Sequence, residues 1–104
     1  MNSGYTVIID PAANDRMYDH FVFLAQVSEQ AAEKLLDALV ADMQSLAFMP
    51  YRNPMYGRPY LPVGKYRYMM SCERYRIVYQ IEDKTVHIED IQDCRQSDDR
   101  NLLS

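Results

Sequence analysis

Tyr75-Arg76-Ile77-Val78-Tyr79-Gln80-Ile81 is the stretch that decides the fold of this 104-residue chain. Its residues alternate, with Ile77, Tyr79 and Ile81 on one side of an extended strand and Arg76, Val78 and Gln80 on the other. The strand is predicted over Arg76 to Glu82. Asp83-Lys84 follows as a tight hairpin turn, and Thr85 to Gln92 reads as the last strand, with Val86 and Ile88 facing the core. Upstream, Glu73-Arg74 marks a turn, and Lys65 to Ser71 is a candidate strand. Short turns between successive strands make them antiparallel neighbours.

The cover for this meander comes from the N-terminal half. Tyr5 to Ile9 is β-branched and apolar and predicts a short first strand. Asp10-Pro11 stops it and opens a helix, because Asp caps the first turn and Pro lacks only an N–H that has no intrahelical partner there. Ala13, Met17, Phe21 and Leu24 recur at helical spacing, and this helix is predicted to end near Val27. Ser28 is a second cap. After it Ala32, Leu35, Leu36, Leu39, Val40, Met43 and Leu46 form an apolar stripe over residues 29–48. The short link predicts an antiparallel helical hairpin. Between Met49 and Gly64, Pro50, Pro54, Pro59, Pro62, Gly57 and Gly64 break any regular element, and this stretch reads as an ordered loop on the surface. The expected architecture is therefore α+β, in the order β-α-α-β-β-β, with an N-terminal helical hairpin packed on a mainly antiparallel four-stranded sheet. One domain is expected over residues 1–104.

At 48% apolar the chain is not a disordered tail, and no run approaches the roughly 18 residues that would span a bilayer. Met1 to Tyr5 lacks the character of a signal peptide, so a cytoplasmic location is expected. Cys72, Cys94, His20 and His87 are far apart and show no metal-ligand spacing. The two cysteines read as free thiols. No cofactor is expected.

Net charge is −4, but its distribution is uneven. Residues 1–50 carry two basic and seven acidic side chains, and residues 77–104 carry three and seven. Residues 51–76 carry Arg52, Arg58, Lys65, Arg67, Arg74 and Arg76 against Glu73 alone. A local basic surface on an acidic protein is expected, which suits a phosphate-bearing partner.

This order of elements resembles the RelE/ParE toxin superfamily, whose members are the toxic halves of type II toxin–antitoxin pairs, also described as plasmid stabilisation proteins. The resemblance covers roughly Tyr5 to Arg95. Asp10-Pro11-Ala12-Ala13 is similar to the opening of the family's first helix, and Ala31-Ala32-Glu33-Lys34-Leu35-Leu36 to its second. Most specific is Tyr75 to Ile81 followed by Val86-His87-Ile88 and Asp93-Cys94-Arg95-Gln96, which repeats the family's pair of arginines. RelE-like members bind the ribosomal A site and cleave mRNA by attack of the 2′-hydroxyl on the adjacent phosphate. ParE-like members inhibit DNA gyrase and cleave nothing. Both are neutralised by an antitoxin.

The resemblance implies a metal-independent endoribonuclease that inhibits translation, with Arg76, Arg95 and Arg67 holding the scissile phosphate. Lys65, Arg74 and Arg58 would extend the RNA-binding surface. A guanidinium offers a planar fork for phosphate oxygens and stabilises charge as it develops. The implied partners are the ribosome, mRNA and a cognate antitoxin, with a homodimer or a toxin–antitoxin hetero-oligomer as the assembly. Each residue also has a plainer reading. Arg76 would be an exposed arginine on a solvated face, Arg95 a surface ion pair with Asp90 or Asp93, and Arg67, Lys65 and Arg74 charges that protect a strand edge. The sequence departs from the nuclease pattern at Met69, where a second basic residue is usual, and at Asn101, where many members carry a tyrosine. His87 reads as a surface histidine and His20 as a structural one. Tyr75 and Tyr79 read as packed rings, while Tyr51, Tyr56, Tyr60, Tyr66 and Tyr68 suit either packing or base stacking. The missing basic residue at Met69 and the acidic total charge favour the rival expectation, a non-enzymatic gyrase inhibitor or a degenerate toxin that only binds its antitoxin. Glu29, Glu33, Asp37 and Asp42 on the second helix would suit an antitoxin segment with basic residues.

Overall fold

A computed structural model describes residues 4–95. Gln96 and Asn101, singled out in the sequence, lie outside them. Strand β1 (Thr6–Ile9) leads into helix α1 (Pro11–Ala25) and helix α2 (Glu29–Ser45). A 3-10 turn (Pro50–Arg52) and strand β2 (Met55–Tyr56) follow, and then β3 (Tyr66–Ser71), β4 (Tyr75–Glu82) and β5 (Thr85–Asp93). The caps are those the sequence predicts, with the Asp10 side chain accepting from Ala12 N and the Ser28 side chain from Ala31 N. The sheet order is β1-β5-β4-β3-β2, with β1 parallel to β5 and every other pair antiparallel. The α+β class holds, but the sheet has five strands and not four. The added strand is two residues long, set between Pro54 and Gly57, and is too short to show an alternating pattern.

The hairpin covers one face of the sheet. Ala13 and Met17 of α1 and Leu35, Leu39, Met43 and Leu46 from α2 and its end close on Tyr75, Ile77, Tyr79, Val86, Ile88 and Ile91. Of the predicted stripes, Phe21, Leu24 and Leu36 are only half-buried and Val40 is exposed, while His20 joins the buried side of α1. The other face is not simply solvated. Val78 is fully buried there beneath Tyr56 and Tyr66, with Leu61 and Tyr68 packed against them. The proline-rich segment thus folds over the sheet and makes a second, smaller core.

Two details of register control where functional side chains point. The β3–β4 connection has three residues, Cys72, Glu73 and Arg74, because Ser71 pairs with Tyr75. Cys72 and Glu73 both take positive φ, at 54° and 58°. In β5 the pairing slips by one residue, with Val78 opposite Asp90 and Tyr79 opposite Ile88. Glu89 is the extra residue of this β-bulge, so Ile88 and Ile91 both face the helices while Asp90 and Gln92 face the open side.

Polar ties fasten the layers. The His20 Nε2–H of α1 donates to the buried carbonyl of Ile91 at 2.7 Å, and its ring packs on Tyr75. The Tyr79 hydroxyl donates to Pro50 O at 2.6 Å and accepts from Asn53 at 3.0 Å, pinning the turn after α2 to the central strand. Burial raises the pKa of that hydroxyl, so it remains a donor. Arg74 forms a bidentate ion pair with Asp93, Nε to Oδ1 at 2.9 Å and Nη2 to Oδ2 at 2.6 Å. The carboxylate is 1% exposed.

Arg74→Met strands that buried carboxylate, and is expected to cost about 3–5 kcal/mol in urea denaturation. R74M/D93L, which removes both charges, is expected to cost less than R74M. The second expectation concerns pH. Burial lowers the His20 pKa below its ordinary 6.5, aided by Arg16 and opposed by the Ile91 carbonyl bond, Asp93 and Asp90. The unfolded chain therefore takes up a proton that the folded chain refuses. His20 makes stability fall as pH drops below 6.5, until the folded form is itself protonated. H20Q lacks this dependence, so the stability gap between wild type and H20Q should narrow between about pH 7.5 and 5 in parallel denaturation curves.

Candidate nucleic-acid or partner interface

The six basic residues of the 51–76 segment do not form one surface. Arg52 turns back on the end of α2, bonding Phe48 O, Met49 O at 3.2 Å and Ser45 Oγ at 3.0 Å. Ser45 O, at the last residue of α2, is also within reach at 3.4 Å, so the guanidinium complements the negative end of the helix dipole. Arg67 donates to Tyr51 O at 3.2 Å and Asn53 O at 2.6 Å and stacks on the Tyr51 ring. Arg74 is committed to Asp93. These three guanidinium groups hold the fold together.

Register then separates two residues expected to share a phosphate. Arg67 pairs with Tyr79, whose side chain is in the helix-side core, and Arg76 pairs with Met70 and Gln92 on the other face. Direct cross-strand partners project to the same side, so Arg67 and Arg76 lie on opposite faces of the sheet. Arg95 lies three residues past Gln92 and is exposed at the same end of the sheet as Arg76, with its backbone N–H donating to Asp93 Oδ1 at 3.0 Å. The ion pair considered for Arg95 is not formed with Asp93, whose carboxylate Arg74 occupies.

What gathers around Arg76 is aromatic and polar. Its guanidinium carbon is 5.5 Å from the Tyr56 ring centroid and 5.6 Å from that of Tyr68. Arg58 reaches the same Tyr56 ring at 4.7 Å, so Arg58 and Arg76 share that ring. Arg76 Nη1 donates to Gln92 Oε1 at 2.7 Å. Gln92 in turn donates to the Tyr56 hydroxyl and to Asp90 Oδ2, each at 3.1 Å. Lys65 lies just before β3, over Tyr66 and toward the opposite end of the sheet. His87 pairs with Gln80, four positions along β4 from Arg76, or roughly 13 Å at strand spacing. Its imidazole lies 3.7 Å from Glu82. Met69 is on the helix side, opposite Ile77.

Gln92 was not singled out by the sequence reading, and Asp90 and Tyr56 entered it only as an ion-pair candidate for Arg95 and as a ring suited to packing or base stacking. Two of them depend on the bulge at Glu89, which leaves no compositional mark. On the helix side, an apolar hollow lined by Leu24, Ala31, Leu35, Cys72 and Tyr75 has Lys34 and Arg74 among its walls, but gathers no acid–base pair. Among the described residues no group of three or more His, Cys, Asp or Glu is placed to hold a metal ion. Nor is any helix among them long and apolar enough to cross a membrane.

This surface holds cations on aromatic rings at one end of a sheet. No curated protein matches the sequence. The solved structure of the chromosomal ParDE TA system from P. aeruginosa contains a chain similar to this one at a TM-score of 0.63 and 20% identity. The match covers 88% of this chain and 98% of that one, and at such identity it is a likeness of fold. The model of the family described as the ParE toxin of type II toxin-antitoxin system, parDE, matches residues 7–97, so this chain belongs to the ParE toxin family.

Proposed function

We propose that this chain is the toxin of a type II toxin–antitoxin pair and acts by binding DNA gyrase, without cleaving a substrate of its own. The contact surface is the Arg76 end of the open sheet face, with Arg95 and Arg58 beside it. The observation that carries this reading is the placement of Arg67 and Arg76 on opposite faces of the sheet. In-line cleavage of RNA needs donors on the scissile phosphate and a base within hydrogen-bond reach of the 2′-hydroxyl. Here one of the three expected phosphate ligands faces away, and His87 lies roughly 13 Å along the strand from Arg76. A binding surface has no such requirement. Arginine on aromatic rings, with polar groups behind it, is the composition of an interface hot spot. Membership in the ParE family points the same way. The antitoxin belongs on the helical hairpin, where Glu29, Glu33 and Asp37 are exposed and would meet basic residues.

Purified protein in a gyrase supercoiling assay tests the reading. The wild type should inhibit, R76A/R95A should need at least roughly tenfold more protein, and R67A, checked for folding by circular dichroism, should inhibit like wild type. In cells expressing the chain, primer extension should show no new mRNA ends. New ends together with unaffected supercoiling would reverse the conclusion in favour of an endoribonuclease.

A further inference from the structure

We infer that Asp90 and Gln92 are positioning residues for Arg76, setting the direction in which its guanidinium is presented at the open face. The inference rests on the reading of Arg76 as the working side chain of that face.

Gln92 is 1% exposed and Asp90 is fully buried. The Gln92 amide lies between groups of opposite character. On one side are acceptors, Asp90 Oδ2 and the Tyr56 oxygen, each 3.1 Å from Nε2. On the other is a donor, Arg76 Nη1, 2.7 Å from Oε1. A flipped amide would turn its oxygen toward the Asp90 carboxyl oxygen and its NH2 toward the guanidinium, losing both contacts and opposing like groups. Asp90 therefore fixes the sense of the amide, and the amide oxygen fixes the guanidinium. Asp90 is itself oriented, with Oδ1 accepting from Ile91 N at 2.9 Å. The Tyr56 and Tyr68 rings close on the same guanidinium. An arginine held this way loses less side-chain freedom when a partner arrives, which favours binding without adding a contact.

Nitrogen-15 NMR of arginine side chains on the purified chain reads the arrangement directly, and the supercoiling assay reads its consequence. Wild type should give distinct, exchange-protected Arg76 Nη–H signals. Q92L should average them, and Q92E should do the same by setting a second carboxylate against Asp90. D90N/Q92E exchanges donor and acceptor while keeping an acceptor for Arg76, and should restore the distinct signals. Q92L should weaken inhibition roughly tenfold at an unchanged fold by circular dichroism, and D90N/Q92E should return it to within about twofold of wild type. Averaged Arg76 signals in the wild type would overturn the inference whatever the gyrase result. So would weakened inhibition by R76A with Q92L at wild-type potency, which leaves Arg76 its role and removes the relay. R76A at wild-type potency would instead remove the working role of Arg76, and the relay's purpose with it.

Discussion

The central strand β4 is buried on both faces, and each face asks for something different. Tyr75, Ile77 and Tyr79 must fill the space beneath the helical hairpin, while Val78 must be covered by the proline-rich segment. Period-two geometry lets one strand meet both demands only if its neighbours hold register, since a slip by one residue would exchange the two sides. The hydroxyl of Tyr79 adds a fixed point, because its bonds to Pro50 and Asn53 hold the turn that leads into the covering segment. Once these are set, Arg76 has one place to go. It lies at the start of the strand, on the side away from the helices, where Tyr56, Tyr68 and Gln92 meet it.

Local charge in the sequence and free charge on the surface turn out to be different quantities. Residues 51–76 hold six of the eleven basic side chains, yet Arg52, Arg67 and Arg74 are used within the protein. This follows from what the segment must do. Its first part crosses the surface with little regular structure, and a guanidinium with five donors can satisfy several acceptors at once: Arg67 takes the carbonyls of Tyr51 and Asn53, Arg52 those just past α2, and Arg74 the Asp93 carboxylate. The remaining cations, Arg58, Lys65 and Arg76, rest on tyrosine rings. The surface that results is smaller and more directional than the count of charges suggests.

Much of the fold was legible because helices and the central strand declare themselves through periodicity and capping residues. Asp10 and Ser28 sit at the predicted helix starts, and Ala32, Leu35, Leu39, Met43 and Leu46 of the predicted stripe are buried. The site was less legible, and the reason is parity. A two-residue turn at Glu73-Arg74 would have set Arg67 opposite Gln80, on the same side as Arg76. The actual connection has three residues, and that single residue turns Arg67 to the helix side, opposite Tyr79. Cys72 and Glu73 adopt the left-handed conformation without a glycine to announce it. Turn length is set here by how the strands pack, and residue preference says little about it.

The bulge at Glu89 bears on how the chain can vary. Up to Ile88 the strand's odd residues face the open side and its even residues face the helices; beyond Glu89 those assignments are exchanged. The requirement for apolar side chains therefore runs 86, 88, 91, while 90 and 92 can be polar because the bulge takes up one residue of the alternation. Removing Glu89, an ordinary half-buried residue by composition, would leave a regular strand in which Asp90 follows Ile88 onto the open side and Ile91 still faces the hairpin. A residue lost elsewhere in β5, with the bulge kept, would instead exchange the two faces beyond the deletion. The strand is thus most forgiving of a deletion at the point where it already carries a surplus residue.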